Sequence, residues 1–72
     1  MSVMDRVEKF LIRKKPLGFC DDCLADLLGL TPRQHANHKS LELERDRTSE
    51  YARAVGECHE CKSTHKKVIC AL

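Results

Sequence analysis

The run Cys20-Asp21-Asp22-Cys23-Leu24-Ala25-Asp26-Leu27-Leu28-Gly29-Leu30-Thr31-Pro32-Arg33-Gln34 decides how this chain folds. Asp21 and Asp22 follow Cys20 where carboxylates favour the positive end of a helix, and Leu24, Leu27 and Leu28 then recur as its apolar face. Gly29 supplies the left-handed backbone that ends the helix, and Leu30 tucks behind it. Thr31-Pro32-Arg33-Gln34 opens another helix at once: Thr31 is placed to cap, Pro32 to take the first helical position and Gln34 to close a capping box.

Before this run, Ser2 and Asp5 have the spacing of a helix cap, and Val3, Val7, Phe10 and Leu11 recur at helical intervals behind them. Lys14 and Lys15 suit the negative end of that helix and Pro16 stops it. The stretch from Pro16 to Phe19 has room for a turn or a strand of two to three residues. After the run, Ala36, Ser40 and Leu43 fall on one face of the third helix while Arg33, Asn37 and Lys39 point elsewhere, and the helix extends to Arg45 or Arg47. Tyr51, Arg53 and Val55 then alternate with Ala52, Ala54 and Gly56, and Val68, Cys70 and Leu72 with Lys67, Ile69 and Ala71. Those are two strands, joined by residues 57–66. The alternation makes Cys70, in step with Val68 and Leu72, a small buried residue rather than a metal ligand.

The remaining four cysteines form two C-x-x-C pairs, Cys20/Cys23 and Cys58/Cys61, separated by the 34 residues from Leu24 to Glu57. Each pair brings two thiolates within reach of one tetrahedral ion, and together they complete the shell of a structural Zn²⁺ with no position open to substrate. An iron–sulfur cluster also takes four thiolates and is the rival, which would make the protein a metal or redox sensor. A thioredoxin-like redox pair finds no βαβ pattern around it. His59 and His65 flank the second pair, but two full pairs leave them no vacancy. His35 and His38, three residues apart on the third helix, read as surface residues.

At 72 residues the chain is one domain, residues 1–72. A domain of this size buries only about 60% of the surface its unfolded chain exposes. Metal binding supplies on the order of 10 kcal/mol to such a domain, enough to cover the shortfall. An odd count of five cysteines and an N-terminal stretch charged from Asp5 onward fit neither a disulfide framework nor a signal peptide, which points to a reducing, cytoplasmic setting. No apolar run approaches the roughly 18 residues a membrane span needs, so no membrane partner is expected. The net charge of +2 does not by itself announce nucleic acid. Its distribution carries more: residues 33–39 and 62–67 hold basic residues and histidines without an acid. With no open metal position and no nucleophile paired to a base, an enzyme is not expected.

Leu24-Ala25-Asp26-Leu27-Leu28-Gly29-Leu30-Thr31 resembles the helix-turn-helix of bacterial transcription regulators, in which L-A-x-x-L-G-L-[ST] marks the turn between two helices. With a helix before it and two strands after it, the whole chain resembles a winged helix. The resemblance implies an α+β fold of three helices and a two- or three-stranded antiparallel sheet, here stapled by the four-cysteine metal site. It further implies that the helix starting at Thr31 enters the major groove of DNA. Carried onto this sequence, Pro32, Arg33, Gln34, Asn37 and His38 would face base edges, with Lys39 near the phosphates and Lys66 and Lys67 contributing from the wing. Ala36 and Ser40 depart from the larger aliphatic residues usual at their positions, and the wing is replaced by the cysteine-bearing knuckle from Gly56 to Lys62. The implied function is a transcription regulator or an accessory domain of one. The alternative is a zinc-stabilised module that docks on a protein partner, a second copy included, without touching DNA.

Overall fold

The computed structural model describes residues 2–72, which form three helices and a three-stranded antiparallel sheet. In chain order these are α1 (Val3–Lys14), β1 (Phe19–Cys20), α2 (Asp21–Leu28), α3 (Gln34–Asp46), β2 (Tyr51–Gly56) and β3 (Lys66–Ala71). The α+β architecture expected of the sequence is therefore present, with the third strand supplied by β1.

The Ser2 hydroxyl caps α1 by accepting the Asp5 N–H at 3.1 Å, and Val7, Phe10 and Leu11 carry its buried face. Gly29 ends α2 with φ 65°, a left-handed conformation open to glycine at no steric cost, and Leu30 N–H returns to the Ala25 carbonyl at 2.8 Å. Ala25 on α2 and Ala36 on α3 are both buried, which lets the two helices approach closely.

Sheet order is β1-β3-β2, so β3 is central. Phe19 pairs with Ile69 and Cys20 with Val68, while Tyr51 opposite Ala71 and Arg53 opposite Ile69 join β2 to β3. Phe19, Tyr51, Ile69 and Ala71 face the helices and merge with Val7, Phe10, Leu11, Leu24, Leu30 and Leu43 into one core, in which the Phe10 and Phe19 rings meet edge to face.

Three expectations need correction. The third helix begins at Gln34, not Thr31: Arg33 is its N-terminal flanking residue and no side chain caps it. The first turn satisfies its own donors instead, with His35 N–H bonded to the Pro32 carbonyl and Ala36 N–H to that of Arg33. Leu27 is 44% exposed although its angle on α2 matches the buried face; the buried residues are Cys23, Leu24 and Ala25, and at the end of the helix it is Leu28 that packs, partly buried, against the core. The buried set of β3 is Ile69 and Ala71 rather than Val68, Cys70 and Leu72, because Ile69 registers with Phe19 and Arg53 and Ala71 with Tyr51 on the helix side. Cys70 is thus half-buried on the opposite face, beside exposed Ala52. Among the described residues no helix is long and apolar enough to cross a membrane.

Candidate metal centre

Each cysteine pair is placed by a local backbone device. Cys20 ends β1 and flanks the N-terminus of α2, and Cys23 lies in the first turn of that helix. One pair thus turns a strand directly into a helix, with both sulfurs near the helix's positive end, where thiolates are favoured. Cys58 and Cys61 occupy the turn between β2 and β3. There Cys58 N–H donates to the Ser63 carbonyl at 2.9 Å, Lys62 N–H donates to the Cys58 carbonyl at 2.9 Å, and Lys62 takes φ 64° to close the knuckle. His59 N–H donates to the Gly18 carbonyl at 2.8 Å and the His59 ring meets the edge of Phe19, which fastens the knuckle to the segment leading into β1.

The four Sγ atoms all lie within 4.8 Å of one another, with Cys20 and Cys61 at 3.9 Å, and they form a group able to hold a metal ion. Cys20, Cys23 and Cys58 are buried, with Val68 packed against them, and Cys61 is exposed. Burial pushes the Cys20 and Cys23 thiols up. Burial presses Cys58 the same way, but N–H groups of Cys61, Cys20 and Glu60 aimed at its sulfur outweigh it and bring it down to about 6. The Cys20 N–H reaches the Cys58 sulfur at 3.4 Å. The knuckle therefore offers one ready thiolate, and a cation that replaces the remaining thiol protons relieves the burial cost of the others.

Around the first pair lies a network that sequence reading missed. Asp21 accepts from Asn37 Nδ2 at 2.9 Å and pairs with Arg53 at 3.1 Å, the Arg53 side chain being only 6% exposed. Asp22 pairs with Lys66 at 3.2 Å and with Arg33 at 3.6 Å, and Arg33 also reaches Asp26 at 3.1 Å. The available signal was two acids enclosed by the cysteines and an arginine at an inward strand position. The residues expected to face DNA divide accordingly. Pro32, Arg33, Gln34 and His38 are exposed at the leading end of α3, as is Lys67 on β3. Asn37 and Lys39 are half-buried, with Lys39 paired to Glu42 at 3.4 Å, and the ammonium of Lys66 is held above its ordinary range by its hydrogen bond to Asp22. His35, like His38, is exposed, and neither shares a metal-sized cluster among the described residues.

Comparison with known proteins returned no match, whether to a family model, a curated protein or a solved structure.

Proposed function

We propose that the protein is a small DNA-binding module, a transcription regulator or accessory domain of one, in which a single structural Zn²⁺ staples a winged-helix-like fold and α3 is the helix offered to the major groove. The sulfur geometry supports zinc: with Zn–S bonds of about 2.3 Å the edge of a sulfur tetrahedron is about 3.8 Å, close to the 3.9 Å between Cys20 and Cys61. Four thiolates on the separate irons of a cluster stand farther apart than those around one ion. The shell is closed, so the metal's work is structural, which supports a binding module over an enzyme.

The observation that carries the DNA reading is the joint between α2 and α3. Gly29 and the buried pair Ala25 and Ala36 set one helix against the other, and the joint leaves Pro32, Arg33, Gln34 and His38 exposed on the leading end of α3. Guanidinium and amide groups at that place match the donors that read guanine and adenine edges. The pairing of Arg33 with Asp22 and Asp26 is exposed on both sides and worth only about 0–1 kcal/mol, so phosphate or base can displace it.

A second reading, docking on a protein partner, draws on charge. Four thiolates around Zn²⁺ add two negative charges to the formal +2 of the side chains and leave the loaded protein neutral. Selection from a randomised duplex pool, with the salt dependence of binding, separates the two. The DNA reading expects sequence selection, a uniform loss with Lys39→Ala or Lys67→Ala that lowers the salt slope by about 1 each, and relaxed preference at one base with Arg33→Ala. Zinc-loaded protein that selects no sequence and has no salt slope at low ionic strength leaves the docking reading in its place.

A further inference from the structure

We propose that Asp21 and Asp22 are positioning residues that tie the placement of α3 to the metal. The inference rests on the zinc-loaded reading of the four-cysteine site and goes beyond it: the C-x-x-C loop of α2 holds the ion with its cysteines and the rest of the fold with the two residues between them.

Cys20 and Cys23 fix the first turn of α2 to the ion, so the backbone of Asp21 and Asp22 moves only as the metal site moves. Asp21 sends one carboxylate oxygen to two elements at once, Asn37 on α3 at 2.9 Å and Arg53 on β2 at 3.1 Å. Asp22 reaches Arg33 beside the start of α3 and Lys66 at the start of β3. Arg33 also donates to the Asp22 carbonyl at 3.4 Å, so side chain and backbone of one residue hold the same guanidinium. These bonds differ in environment. The Arg53–Asp21 pair is largely screened from water by burial and is the stronger hold, whereas the Arg33 and Lys66 contacts are exposed and weak. Asn37 therefore serves as the latch of α3 against the metal loop, and Arg53 locks the same carboxylate from the sheet. The first turn of α3 is held within itself only by the backbone bonds of His35 and Ala36, with no side-chain cap, so the Asn37 bond to Asp21 is the side-chain tie between this turn and the metal loop. Metal occupancy then sets where Pro32, Gln34 and His38 point.

The test uses the full chain loaded with Zn²⁺ and then with the larger Cd²⁺. In the wild type, exchanging the ion shifts the NMR signals of the Asn37 side-chain amide and of the α3 backbone over residues 35–38, leaving Val7–Leu11 of α1 in place. In Asp21→Ala that response disappears, and amide exchange over residues 35–38 quickens by about tenfold relative to α1 while the Co²⁺–thiolate spectrum stays that of the wild type. Asn37→Ala, which leaves the metal loop intact, gives the same local quickening and keeps the test in force should Asp21→Ala fold poorly. A silent Asn37 on metal exchange, or quickening spread equally over α1, overturns the coupling while leaving the zinc reading untouched. A wild type that takes up no metal overturns the zinc reading itself and the coupling with it. No arm involves DNA, so the result is independent of what α3 binds.

Discussion

Gly18→Ala tests how tightly the metal loop and the sheet are packed together. A methyl at Gly18 would lie 2.9 Å from Val68 Cγ2, 3.3 Å from Val68 Cβ and 3.9 Å from the Glu57 carbonyl oxygen. Carbon atoms prefer about 3.5–4.0 Å, so the first contact is too close by roughly half an ångström or more. Rotating Val68 moves its Cγ2 but not its Cβ, and a β-branched side chain has few rotamers to choose from. Nor can the residue withdraw, because Val68 is the strand partner of Cys20 and packs on the sulfurs of Cys20, Cys23 and Cys58. Overpacking of this kind costs about 1–3 kcal/mol. In a domain of this size each kcal/mol lowers Tm by about 4–8 °C, so the zinc-loaded variant should melt roughly 5–20 °C below the wild type by circular dichroism. Val68→Ala alone, at a partly buried position, should cost about 1 kcal/mol. Combining the two lets the new methyl fill the space the valine leaves, so the double variant should be more stable than the sum of the singles by about 1 kcal/mol. Strict additivity, within about 0.5 kcal/mol, or a Gly18→Ala cost below that figure, refutes the close approach.

Cys58→Ser should abolish stoichiometric metal uptake while Cys70→Ser preserves it, as read by metal analysis and native mass spectrometry; equal loss in both would make Cys70 a ligand. Stripping the metal with a strong chelator should unfold the domain, and a far-ultraviolet spectrum unchanged after removal would contradict the coupling of metal to folding. At Gly29 no atom lies within 4 Å of an added Cβ and φ is 65°, so Gly29→Ala should cost about 1–2 kcal/mol in chemical denaturation through the backbone alone, and Gly29→Asn less. Leu24→Ala at a fully buried site should cost about 2–5 kcal/mol against under about 1 for exposed Leu27→Ala; equal costs would restore Leu27 to the core.

Signals that act over a few residues were legible in the chain. Ser2, Pro16, Gly29 and the two cysteine pairs each constrain a local conformation, so α1, the end of α2 and the metal group followed directly. What the chain hid were choices settled by distant partners. The face of β3 that turns inward is decided by register with Phe19 and Tyr51, and both faces of that strand carry apolar residues, so alternation alone had no sign. Thr31-Pro32 has the composition of a helix start, yet backbone bonds from His35 and Ala36 satisfy the donors that a cap would have served. Arg53 shares its strand face with Tyr51, but its partner Asp21 lies 32 residues away along the chain, so the pairing is invisible to any local signal.

The smallest element joins the four-cysteine group to the core. β1 has only two residues, and the pleat sends them to opposite sides: Phe19 enters the helix-packed core and Cys20 the metal group. Their partners on β3 divide the same way, Ile69 into the core and Val68 onto the sulfurs. A two-residue strand has too few ladder bonds to persist by itself, so it relies on both side chains and on the His59 N–H bond to the Gly18 carbonyl beside it. With no ion on the sulfurs, Cys20 would lose one hold on β1, leaving Phe19, the pairing with β3 and the His59 N–H bond to the Gly18 carbonyl to keep the strand at the edge of the sheet. Ile69, buried on β3 opposite Phe19, would then lose part of its cover. An ion held by the four cysteines would therefore clamp the chain where the core and the sulfur group meet, on either side of the two-residue strand β1.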